Sequence, residues 1–329
     1  MNKEPKTLQE AIVYFSNKEN CRDYLVARRW PNGVTCPRCG NENVTEQPKY
    51  NRWQCSSHHA NLEDKSRQFT LKTGTIFEDS PIGLDKWLSV MWLVVNCKNG
   101  ISSYEIHRAV GVTQKSAWFM SHRVRLALGM ESSEKLSGHV EADETYIGGK
   151  ARNMHRTKLA KRVAEFATPR TGRNQNIGKV AVMGLLERHG EIRTMVVAGT
   201  KRQHLHGKVT EHVEAGSTVY TDALRSYNEL DRECIHQVIN HAEKYVDGQI
   251  HTNGVENFWS LLKRTLGGTY VSVEPFHLFR YLDEQSFRFN NRTLNDGQRF
   301  DIASRAIIGK RLTFAQVTGK DNSRQPASH

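Results

Sequence analysis

Residues 139–148 read His-Val-Glu-Ala-Asp-Glu-Thr-Tyr-Ile-Gly. β-Branched and aromatic residues at this density predict a strand, yet Glu141, Asp143 and Glu144 are acids. Asp143 sits in a strand that also holds Val, Ala, Tyr and Ile, where an unpaired carboxylate is costly to bury, and a metal ion is one way to offset that cost. The residues on either side therefore decide what sheet this strand joins and what surrounds the carboxylate.

Downstream, Lys179–Glu187 and Glu191–Gly199 read as two further strands, joined at Arg188-His189-Gly190 as a hairpin. Ser217–Asp222 and Cys234–Asn240 follow, separated by helical stretches, and Asn253–Leu266 and Phe276–Asn290 read as helices. Strands first in succession and then alternating with helices predict an α/β domain with a mixed five-stranded sheet and helices packed on it. Asp222 ends its strand, where a carboxylate can line a site. Two aspartates on adjacent strands would suit Mg²⁺, which prefers oxygen ligands.

The helix beginning at Asn253 adds a polar stripe. Asn253, Glu256, Ser260 and Lys263 are spaced 3, 4 and 3 residues apart, so they share a face. Val255, Phe258, Trp259 and Leu262 supply apolar surface elsewhere on the helix. Together with the aspartates, the stripe could serve metal-assisted phosphoryl transfer, with Lys263 or Arg264 holding a DNA phosphate. Between the first two strands, residues 148–179 carry nine Lys or Arg and one acid. Such a run is a solvated loop or a phosphate clamp.

Upstream, residues 131–138 are a polar linker. In 79–130, Ser102 or Ser103, Gly111 and Thr113 supply cap, turn and cap for a helix-turn-helix segment. Its second helix carries Lys115, Arg123 and Arg125, which can reach bases or phosphates of double-stranded DNA; an ordinary helical hairpin is the alternative, and the cationic second helix favours DNA. In 34–78, Cys36-Pro-Arg-Cys39 and Cys55-Ser-Ser-His58 are two short knuckles 15 residues apart. That spacing delivers four tetrahedral Zn²⁺ ligands, with His59 able to replace His58. The first 33 residues read as a helical segment ending in Trp-Pro-Asn-Gly, and 293–329 as a C-terminal tail.

The chain has 329 residues and a formal net charge of +12, which suits a polyanionic partner. No segment approaches the roughly 18 apolar residues of a membrane span, and no apolar signal core opens the chain. The expected location is the cytoplasm. Six cysteines in a reducing compartment read as ligands rather than as a disulfide framework.

Cys36-Pro-x-Cys39, Phe69-Thr-Leu-Lys-Thr-Gly-Thr-Ile-Phe77, the strand 140–149, Val219-Tyr-Thr-Asp222 and Thr252-Asn-Gly-Val-Glu-Asn-Phe-Trp-Ser-Leu-Leu-Lys-Arg264 occur in an order that resembles bacterial insertion-sequence transposases. The resemblance covers about residues 20 to 292. It implies a zinc ribbon, a helix-turn-helix and an RNase H-like catalytic domain over 139–292. The family motif is Asp-Asp-Asn-Lys or Asp-Asp-Glu-Lys. Carried over, Asp143 and Asp222 are the first two acids and Lys263 the last member, and either Asn253 or Glu256 fills the third place. The implied activity is cleavage and strand transfer at terminal inverted repeats with Mg²⁺ or Mn²⁺, by at least a homodimer on DNA. A non-catalytic regulator built on a domesticated transposase is the competing reading. The family's second knuckle is Cys-x-x-Cys, and here it is Cys55-Ser-Ser-His58.

Overall fold

The structure is a computed structural model describing residues 4–60, 65–129, 134–149, 155–157, 159–160, 179–222, 227, 234–239 and 251–320. Most of the basic stretch 148–179 and part of the linker 131–138 lie outside the described residues. The chain divides into two compact units. One takes in Met1–Gly129 and the segment from Asn291 onward, and the other spans Met130–Asn290.

The first unit opens with two helices where the sequence reading expects one. α1 (Leu8–Phe15) and α2 (Lys18–Arg29) part at Ser16, because the Asn17 side chain accepts from Glu19 N–H and restarts the helix as its N-cap. A three-stranded antiparallel sheet follows, β1 (Val44–Gln47), β2 (Arg52–Cys55) and β3 (Gln68–Phe69). Trp30, Trp53 and Phe69 form an aromatic cluster beneath it. α3 (Leu84–Asn96) is the central helix, with Trp87, Met91, Trp92 and Val95 buried. α4 (Ser103–Val110) and α5 (Gln114–Leu128) meet at Gly111, whose φ of 63° is open to glycine at little cost. Ser102 and Thr113 cap them as the sequence reading expects.

The second unit holds β4 (His139–Ile147), β5 (Val180–Glu187), β6 (Ile192–Val197), α6 (Arg202–His212), β7 (Thr218–Asp222), β8 (Ile235–Ile239), α7 (Asn253–Thr265) and α8 (Leu278–Asn290). The strand order is β6-β5-β4-β7-β8. β4, β5 and β6 are successive antiparallel neighbours, while β7 runs parallel to β4 and β8 parallel to β7. This mixed sheet with flanking helices is the RNase H-like architecture. Alternation splits the core between two faces. Val140, Ala142, Met183 and Val219 pack with α6 residues Leu205 and Val209 on one face. Val182, Leu186 and Ile192 pack with Val255, Phe258 and Trp259 of α7 and Leu282 of α8 on the other.

After α8 the chain rejoins the first unit. The stretch expected to be a tail contains α9 (Asp296–Arg305) and α10 (Phe314–Val317). Phe300 of α9 is buried against Phe15, Tyr24 and Trp92. Sequence alone reads this segment poorly, because its few apolar residues gain meaning only against partners more than 200 residues away.

Candidate active site and zinc site

β4 and β7 bring the two aspartates together. His139, Val140 and Glu141 lie beside Thr218, Val219 and Tyr220 in parallel register. Continued along both strands, that register sets Asp143 level with Asp222, on the face that α7 covers. Across the other edge of β4, Asp143 is paired with Gly184 of β5. A Cβ at Gly184 would come within 2.7 Å of the Trp259 ring, so the missing side chain is what lets α7 seat there. The seated indole Nε1–H donates to Asp143 Oδ2 at 2.9 Å.

Burial lifts the Asp143 carboxyl to about 6, and the charges of Asp222 and Glu256 add to the rise. Asp143 thus senses both acids. Asn253 and Glu256 stand exposed in the first turn of α7, and Thr252 Oγ1 donates to Glu256 Oε1 at 3.2 Å. Ser260, Lys263 and Arg264 are exposed further along the same helix. The face that sequence spacing predicts is therefore present.

The three acids of β4 have different surroundings. Glu144 points to the opposite face, where Tyr227 O–H donates to it at 2.8 Å and burial pushes its carboxyl up to about 7. Glu141 shares the face of Asp143 but is closed in by Arg188, His251 and the Val255 amide. Sequence reasoning missed this role of Glu141, and it treated Trp259 as apolar filling and Arg188 as part of a turn. The two-residue offset from Glu141 to Asp143 was the available signal, since it puts both acids on one face.

In the first unit, Cys36, Cys39, Cys55 and His59 place one ligand atom each within 4.8 Å of one another. Cys39 Sγ and Cys55 Sγ are 3.6 Å apart, and Cys36 Sγ and His59 Nε2 are 3.7 Å apart. A tetrahedron with Zn–S bonds of about 2.3 Å has edges of about 3.7 Å, so the set fits zinc. His59 Nδ1 lies 2.8 Å from the Ser66 carbonyl, which fixes the ring with Nε2 toward the cluster. The expectation of His58 is corrected: His58 is exposed, whereas His59 is buried with Cys36 and Cys55 and belongs to the cluster. The chain turns after Cys55 so that the fourth residue on, not the third, faces inward.

Two comparisons with protein families meet this geometry. Residues 135–290 match the ISXO2-like transposase domain, and residues 16–59 match the transposase zinc-ribbon domain. An uncharacterized transposase-like protein of Haemophilus influenzae is 36% identical over 102 residues, covering 31% of this chain and 82% of the relative. The chain belongs to the ISXO2-like transposase family. An uncharacterized protein in transposable element ISH50 of Halobacterium salinarum is 27% identical over 262 residues, covering 78% of this chain and 85% of the relative. The transposase zinc-ribbon match begins within α1–α2, upstream of the sequence-based ribbon boundary at residue 34.

The cations expected to contact DNA from α5 divide. Lys115 is exposed at the start of α5, its Nζ 4.6 Å from the Phe314 ring centre. Arg123 and Arg125 are 4% and 2% exposed, so their reading as DNA contacts is corrected. Arg123 donates from Nη1 to the Ile76 and Glu78 carbonyls and from Nε to the Leu312 carbonyl. It fastens α5 to two loops instead of facing solvent. Among the described residues, no helix is long and apolar enough to cross a membrane.

Proposed function

We propose that this chain is a catalytically competent insertion-sequence transposase, which binds the terminal inverted repeats of its element and cuts and joins DNA with Mg²⁺ or Mn²⁺. The observation that carries the reading is the register of β4 and β7, which levels Asp143 with Asp222 on the sheet face that α7 covers, where Trp259 reaches Asp143. The residues fit a divalent cation: two carboxylates stand level on adjacent strands, and burial, with the charges of Asp222 and Glu256 adding to it, raises the proton affinity of Asp143. When bound, the cation supplies the positive charge that eases deprotonation of an attacking hydroxyl and stabilises the leaving oxygen.

The protein's part is positioning. The Trp259 N–H donates to Asp143 Oδ2 and so fixes how the carboxylate is presented to the cation. Glu256 supplies the third carboxylate, since its charge already reaches Asp143, and Asn253 beside it offers a neutral carbonyl oxygen to cation or substrate. Lys263 lies about 10 Å further along the helix and, with Arg264, holds the backbone phosphates of the DNA end. Lys115 and the zinc ribbon contact DNA from the first unit. Bringing two ends together requires at least a dimer on DNA, which light scattering of the assembled end complex would report.

The test is a strand-cleavage and joining assay with the DNA flanking the gene. Asp143→Asn and Asp222→Asn should bind ends as wild type does and lose cleavage by about a thousandfold or more. Wild-type protein that binds these ends yet cuts nothing under either metal would instead make the chain a DNA-binding regulator. Glu256→Ala should cost far more than Asn253→Ala, and the reverse order would move the third place to Asn253.

A further inference from the structure

α7 begins without a cap of its own. Thr252 stands at the N-cap position and makes no side-chain bond to the helix backbone. A helix leaves its first four N–H groups without internal partners, and a carboxylate near that end is favoured by the helix dipole. Here the carboxylate comes from the sheet. Val255 N–H donates to Glu141 Oε2 at 3.0 Å. The other oxygen, Oε1, accepts from Arg188 Nε at 3.0 Å and lies 3.3 Å from His251 Nδ1. Arg188 in turn donates from Nη2 to the His251 carbonyl at 2.8 Å, and its guanidinium lies 3.9 Å from the centre of the Tyr220 ring. Gly254 leaves the room, because a Cβ there would come within 2.8 Å of Glu141 Oε2 and 2.6 Å of Leu186.

We propose that Glu141 and Arg188 are positioning residues that lock the start of α7 onto the strand carrying Asp143, and so set the third member of the active site against the first two. The inference rests on the transposase reading. Glu141 is 1% exposed and both its oxygens are occupied, so it acts through the helix and not as a metal ligand. Two residues along a strand span about 6.6 Å, so the lock point and Asp143 belong to one rigid stretch of backbone. On the helix side, the locked amide of Val255 is adjacent to Glu256 and two residues from Asn253. A buried ion pair is weak evidence for stability, because apolar residues often serve as well. What the pair adds here is direction: a guanidinium fork and a carboxylate fix the helix end more narrowly than apolar packing does.

The variants are Glu141→Gln, Arg188→Lys and Gly254→Ala in the full chain. An amide at 141 cannot accept on both sides, and an ammonium at 188 cannot bridge Glu141 and the His251 carbonyl. Each variant should cut a bound DNA end about 100-fold more slowly, as misplacement by about an ångström does. Each should also need more Mg²⁺ for half-maximal rate, while the dissociation constant for end DNA stays at the wild-type value. Hydrogen exchange should quicken in the peptide 251–259 and stay unchanged in 180–187. If Glu141→Gln does not fold, Arg188→Lys carries the same comparison. Wild-type rate, Mg²⁺ requirement and exchange in the variants would overturn the lock. So would a rate loss that follows only the folded fraction. Should wild type itself fail to cut, the transposase reading falls, and the exchange measurement alone then decides the lock.

Discussion

Asp143 and Glu144 are chain neighbours that face opposite sides of the sheet, and burial raises both carboxyls, to about 6 and about 7. Each therefore holds its proton more tightly in the folded chain than in the unfolded one. Their stabilising contribution is complete below the ordinary carboxylate range and is lost as pH climbs through 6 to 7. The metal-free protein should accordingly melt at a lower temperature at pH 8 than at pH 5. Asp143→Asn should flatten that fall, and Mg²⁺ should raise the wild-type melting temperature at pH 8 more than at pH 5; calorimetry without DNA checks both. For the zinc site, His59→Ala should lose bound metal while His58→Ala keeps one zinc per chain, read by metal analysis of the purified proteins. Sequence spacing carried the three cysteines, since two-residue knuckles suit zinc. It could not choose between adjacent histidines, because ring direction depends on the Ser66 carbonyl. Arg123 and Arg125 were illegible for a related reason: carbonyls at positions 76, 78 and 312 hold Arg123, and a cationic helix face does not reveal such distant partners.

The elements of the second unit were legible to within a residue or two. Strong β-branched runs mark β4, β5, β6, β7 and β8, and Asn253–Thr265 shows a polar stripe against an apolar one. In the first unit one expected helix became two, because an Asn at position 17 can cap a helix as readily as it can lie within a longer one. What pattern did not show is how closely α7 approaches the sheet. That distance depends on Gly184, a residue without a side chain to read. Gly184→Ala should force the Trp259 ring away and destabilise the protein by about 1–3 kcal/mol. It should also slow cleavage, since the displaced indole no longer reaches Asp143; thermal melting and the cleavage assay together measure the two effects. On α5, Lys115→Ala should weaken binding of end DNA and reduce the salt slope by about one, seen by titration at several salt concentrations.

Across the whole molecule, the first unit is built from both ends of the chain. Ile76 N–H donates to the Ile307 carbonyl, Gly309 N–H to the Gly74 carbonyl, and Lys310 Nζ to the carbonyls of Ala127 and Gly129. Arg28 of α2 is paired with Asp301 of α9. A chain ending at Asn290 would lose Phe300 from beneath α1, α2 and α3 and leave Arg123 one carbonyl short. Limited proteolysis should find residues 1–129 of that shortened chain far more labile than in the full protein, with end binding weakened in proportion. The connectivity has a consequence during synthesis. The ribosome makes the zinc ribbon and α3–α5 first, but the segment that clasps them is made only after the whole transposase domain. A nascent chain therefore cannot complete its first unit before the five-stranded sheet of the second has been translated, and a messenger cut short by a stop codon ahead of residue 291 yields no finished first unit.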